Sequence, residues 1–141
     1  MFSEDRSKVA LVEKQKPTWQ KGKLNAIGGK IEEGETPLLA MIREFKEEAG
    51  VGWVFWNELA ILRGEDFIVH FFYTFTDEVY QVRTIEAERI EIFELPYAQH
   101  LSRLMPNLRT LIPLALDTSG ISKPVTFFDH VPEASQQRGI S

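Results

Sequence analysis

The chain has 141 residues, 43% hydrophobic and 26% charged, enough for one domain with a core and short for two. Its net charge of −5 argues against a nucleic-acid-polymer partner, and the lack of cysteine excludes disulfides, thiolate nucleophiles and cysteine-bound metal centres. The opening MFSEDRSK is charged, and no run reaches the roughly 18 apolar residues of a membrane span, so a cytoplasmic protein without a membrane partner is expected.

In chain order, Lys8 to Glu13 (KVALVE) reads as a strand, and KQKPTWQKGK after it as a basic loop. LNAIGGKIEEG (24–34) holds three glycines in eleven residues and is not helical. Thr36 then offers an N-cap and Pro37 a first helical position, Leu38, Ile42, Phe45 and Ala49 form one apolar stripe, and Gly50 supplies the stop. Strands are predicted over 53–63 and 67–76 around a turn at 64–66, and over 88–93 as an alternating strand. A short helix follows over 108–116, with a kink or late start expected at Pro113. The main domain is expected to span 1–118, and 119–141 to be an extension with an edge strand near 123–129 and a loose last ten residues.

The chemistry concentrates in GKIEEGETPLLAMIREFKEEAGV (29–51). Glu44, Glu47 and Glu48 stand at i, i+3 and i+4, on one side of the helix and away from its apolar stripe. They crowd like charges into the last two turns, where the helix dipole already prefers cations. Alone, the pattern also describes a solvated acidic face. Arg43 and Lys46 offset part of the repulsion, and a divalent cation with oxygen ligands would offset more. The glycines at 28, 29 and 34 allow a phosphate or metal to meet the backbone closely, and Lys30 adds a positive charge there.

This segment resembles the Nudix box, G-x5-E-x7-R-E-U-x-E-E-x-G-U, with Gly29, Glu35, Arg43, Glu44, Phe45, Glu47, Glu48, Gly50 and Val51 in register. Phe45 stands where an aliphatic residue is usual. The resemblance implies an α/β fold, a Nudix-type α/β/α sandwich with a central mixed sheet. It further implies Mg²⁺, with Mn²⁺ as an alternative, held by Glu44, Glu47 and Glu48 with a carbonyl of Gly28 or Gly29. Arg43 becomes an orienting partner of Glu47 or Glu35, and Glu44 helps to orient or deprotonate the attacking water.

The stretch 22–34 also resembles the MutT-type branch that acts on nucleoside triphosphates, in which the residue matching Asn25 sits in the base pocket. LMPNLRTLIPLAL (104–116) resembles that branch's last helix, yet Asn107 and Leu108 stand where its oxidised-purine enzymes carry two acidic residues. Asn25, Asn107 and Lys30 are therefore the expected substrate contacts, and the expected reaction releases a nucleoside monophosphate and pyrophosphate, from a modified or oxidised dNTP among others. Glu88 or Glu91 could supply an extra base or ligand. The tryptophans at 19, 53 and 56 read as core and His70 as a hydrogen-bonded structural histidine. Hydrolysis of nucleoside diphosphate conjugates such as ADP-sugars, or a non-catalytic nucleotide-binding regulator, are the alternatives, and monomer and homodimer both stay open.

Overall fold

The computed structural model describes residues 1–117, 119 and 123–129. Strand β1 (Lys8–Glu13) is the organising element, pairing antiparallel with β2 (Leu24–Asn25) on one side and with β5 (Arg89–Glu94) on the other. Its side chains alternate between two cores, because successive residues of a strand point to opposite faces. Val9 and Leu11 join the cluster built on α2 (Leu108–Leu116), whereas Ala10 and Val12 join the cluster built on α1 (Pro37–Ala49). A helix thus covers each face of the sheet, which gives the α/β/α arrangement.

The second sheet has the order β4-β3-β6, with β3 (Asn57–Arg63) antiparallel to β4 (Ile68–Tyr73) and parallel to β6 (Val125–Phe128). One parallel pair beside antiparallel ones makes the architecture mixed, as expected, but the strands divide into two three-stranded sheets rather than one continuous sheet. The expected edge strand is β6, and its Phe127 packs against the α2 core. The last ten residues lie outside those described.

Local signals set the helices. Thr36 Oγ1 accepts from the Leu39 amide at 3.1 Å, Pro37 opens α1, and Gly50 closes it with φ 76°. Phe45 and Ala49 are buried and Ile42 packs against the same core, but Leu38 is 38% exposed, so the apolar stripe leaves the core at its first residue. Helix α2 runs through Pro113 rather than starting after it.

Other expectations are corrected. Strand β3 begins at Asn57, not Trp53, because the loop before it is held by indole donors: Trp56 Nε1 to the Trp53 carbonyl and Trp53 Nε1 to Thr74 Oγ1. Strand β5 puts one buried residue on each face, Ile90 in the α1 core and Phe93 in the α2 core, while Ile92 is exposed. Of the three tryptophans only Trp56 is buried, and Trp19 is 65% exposed. His70 Nδ1 has no hydrogen-bond partner among the described residues and lies 3.6 Å from Glu58 Oε2, too far for the expected hydrogen bond.

Candidate active site

The last two turns of α1 bring its carboxylates against the glycine loop. The Gly28 amide donates to Glu48 Oε2 at 3.2 Å. Next to it, a Cβ built on Gly29 would lie 2.4–2.6 Å from the Glu44 carboxyl atoms, so only glycine leaves room for Glu44 where it stands. We expect Gly29→Ala to fold with a nearly unchanged melting temperature, since the clash falls on the end of a flexible side chain, while turnover drops because Glu44 is pushed aside. A variant with wild-type turnover would show that the position of Glu44 does not matter.

Arg43 binds the site together. Its Nε and Nη2 grip Glu35 in a bidentate pair at 2.7 and 2.8 Å, its Nη1 donates to Glu44 at 2.7 Å and to Glu47 at 3.2 Å, and Nη2 also reaches the Lys30 carbonyl at 2.9 Å. A planar guanidinium can do this where an ammonium cannot. The bond from Arg43 holds the Glu35 carboxyl down at about 2, and the same bonds hold the guanidinium charged. Glu48 has no such partner. Burial first, and then the charge of Glu44, push its carboxyl up to about 7.

Among the described residues no three acidic or imidazole groups converge at ligand spacing, because Arg43 draws Glu44 and Glu47 while the Gly28 amide holds Glu48. The donor chemistry nevertheless suits a hard divalent cation: oxygen-only groups, a Glu44–Glu48 repulsion that Arg43 and Lys14 offset only in part, and a glycine where a side chain would fill the approach. Glu44, Glu47 and Glu48, with a carbonyl of Gly28 or Gly29, are the groups available to hold it.

The remaining expected contacts are placed as follows. Lys30 is exposed on the glycine loop. Asn25 Nδ2 donates to Gln20 Oε1 at 3.1 Å, and its Oδ1 accepts from the Ala26 amide. Asn107 opens α2 with a buried Oδ1 that lacks a partner among the described residues. The two asparagines stand on neighbouring segments, since Leu24 bridges to Leu104 and the Met105 amide donates to the Leu24 carbonyl. Glu91 pairs with Arg89, and Glu88 accepts from Lys14 and from two loop amides. Sequence reasoning missed Lys14, which acts electrostatically on Glu48. Its only signal was its place directly after β1, at the start of the stretch read as a basic loop. An open depression of about 470 Å³, lined in part by Trp53, Phe55 and Arg83, lies beyond the end of α1 and is not lined by the three glutamates.

Fold and site together define an α/β/α domain whose first helix presents carboxylates to a glycine loop. The chain belongs to the NUDIX domain family, whose model matches residues 1–114, and is a Nudix pyrophosphohydrolase, acting on a diphosphate-linked nucleotide compound. No curated protein matches it. Among solved structures it is similar to one from a structural and functional study of MutT from the psychrophilic fish pathogen Aliivibrio salmonicida and the mesophile Vibrio cholerae. The TM-score is 0.61 at 21% identity, over 79% of this chain and 90% of that one, so the fold is what the two share. Nudix enzymes generally use a divalent metal and act on small nucleotides. Among the described residues, no helix is long and apolar enough to cross a membrane.

Proposed function

We propose that this protein is a Mg²⁺-dependent nucleoside triphosphate pyrophosphohydrolase that releases a nucleoside monophosphate and pyrophosphate. The observation that carries this reading is the pair Glu44 and Glu48, both turned to the Gly28–Gly29 loop and repelling each other there. In this reading Glu44, Glu47 and Glu48 hold the metal, Mn²⁺ being an acceptable substitute, and Arg43 orients Glu44 and Glu47 while tying them to Glu35. Mg²⁺, when bound, neutralises the diphosphate and makes water a competent nucleophile. Glu44 orients the attacking water and takes its proton. Lys30 meets the phosphates, and Asn25 and Asn107 read the base edge. The unpartnered Asn107 Oδ1 supports that last role, since a buried acceptor without a donor is costly until something supplies one. Without the paired acidic residues of the oxidised-purine enzymes at 107 and 108, the base preference is broader than 8-oxo-dGTP, though modified dNTPs remain substrates. The protein works in the cytoplasm, with its domain over 1–118 and β6 in the extension as added sheet.

The test is a panel of ordinary and oxidised dNTPs, ADP-ribose, an ADP-sugar and dinucleoside polyphosphates, assayed with Mg²⁺ for pyrophosphate against orthophosphate. Pyrophosphate from dNTPs supports the proposal. Turnover confined to ADP-sugars, or tight nucleotide binding with no turnover, would replace it with a conjugate hydrolase or a regulator.

A pH dependence follows from Glu48. Its folded pKa of about 7 lies above the ordinary carboxylate value, so its charge opposes folding at and above neutrality, and a proton competes with the metal below about 7. The Mg²⁺ concentration for half-maximal turnover should therefore rise about tenfold from pH 8 to pH 6. A flat profile would remove Glu48 from the metal equilibrium.

A further inference from the structure

The Glu88 carboxylate is engaged by groups more than seventy residues away in sequence. Lys14 Nζ donates to it at 2.9 Å, the Gln15 amide at 2.6 Å and the Lys16 amide at 3.2 Å. Both side chains are largely covered, at 17% exposure for Glu88 and 20% for Lys14. Gln15 and Lys16 have no other acceptor among the described residues. The loop they open is closed at its neck by Lys14 and Lys23, whose backbone groups bond at 2.8 Å, and by the Gly22 amide on the Lys14 carbonyl at 2.8 Å. At its far end Gln20 meets Asn25 at 3.1 Å, on the strand that bonds to Met105. One loop therefore reaches from the metal helix, through Lys14, to the segments that carry Asn25 and Asn107. It also presents an exposed Trp19 with the exposed Lys16 and Lys21, a surface suited to a polyanion bearing an aromatic base.

We propose that Glu88 is a positioning residue: it clamps the 14–23 loop against the site and so sets where Lys14 and Asn25 meet a nucleoside polyphosphate. This assignment rests on the function proposed above for what the loop contacts, but not for the clamp itself. A carboxylate already matched by an ammonium and two amides has its charge satisfied, which suits an anchor better than a metal ligand or a base.

The test uses the full chain carrying Glu88→Gln, which keeps the shape and removes the charge. Amide exchange at Gln15 and Lys16 should speed up about tenfold, the fold-change for loss of one charge-assisted bond's margin of roughly 1.4 kcal/mol. Mn²⁺ affinity should stay within about twofold, and on any substrate that turns over KM should rise several-fold while kcat falls by less than about threefold, the split that marks lost ground-state binding. Unchanged exchange at both amides would overturn the clamp, and so would a collapse of Mn²⁺ affinity or of kcat, which would make Glu88 a ligand or base. The exchange and Mn²⁺ measurements need no substrate, so they decide the clamp even if the proposed reaction fails. Should Glu88→Gln not fold, Lys14→Gln removes only the ammonium. It should raise KM with both amides still protected, and a kcat loss at unchanged KM would overturn the assignment.

Discussion

Glu48→Gln is expected to lower kcat on the order of 10²-fold or more, the scale seen when one preorganised electrostatic contact is lost from a reaction centre. The physical ground is specific to this site. Glu48 is the one carboxylate of the three that Arg43 does not touch; its side chain accepts from the Gly28 amide, and the charge of Lys14 offsets only part of its burial and of the repulsion from Glu44, so it is the group whose charge most needs a cation. Glutamine can still accept the Gly28 amide, so the fold survives. It also removes the repulsion from Glu44, so the metal-free variant should melt no lower than wild type at pH 8, and higher if anything. Activity and stability are expected to move in opposite directions. A variant that loses activity and also melts well below wild type would mean that Glu48 is a structural group.

Phe45→Ala is the largest expected stability effect, about 3–5 kcal/mol for emptying a buried aromatic site. Phe45 is 1% exposed and sits with its ring centroid 5.0 Å from that of Trp56, where it joins α1 to β1 through Ala10 and Val12. Because the same helix presents Glu44, Glu47 and Glu48 on its other side, loosening this contact lets the carboxylates drift from the glycine loop. The melting temperature should fall by about 10 °C or more, read by calorimetry or circular dichroism. Phe45→Leu, which restores the usual aliphatic residue, should still cost about 1 kcal/mol, because Trp56 is packed against a ring. A stability gain from Phe45→Leu would show that the aromatic pair is a strained fit.

The parts legible in the sequence are those fixed by neighbouring residues. Thr36, Pro37 and Gly50 mark both ends of α1 by capping chemistry, and the bounds of β1 and α2 agree with the reading from apolar runs. The spacing of Glu44, Glu47 and Glu48 already contains their shared side, because helix geometry alone dictates it. What escaped depends on partners distant in the chain. The exposure of Leu38 beside the buried Ala40, and the placing of Ile90 and Phe93 in different cores, depend on elements packed from elsewhere in the chain. The parallel pairing of β6 with β3 joins residues more than sixty positions apart, and no local pattern encodes it. Lys14 reads in the sequence as an ordinary loop charge and Glu88 as an extra base or ligand, because charge carries no periodicity that reveals its partner. The same limit applied to His70: its apolar strand predicts burial, but not whether a donor or acceptor waits opposite Nδ1.

If the acidic face of α1 is a divalent-cation site, Mn²⁺ binding followed by paramagnetic resonance tests it without reference to any substrate. Wild-type protein should bind Mn²⁺ at the α1 carboxylates, Mg²⁺ should displace it, and Glu44→Gln combined with Glu48→Gln should abolish the binding. Equal Mn²⁺ affinity in wild type and the double variant would rule out a metal site on α1 and leave these glutamates as a solvated face.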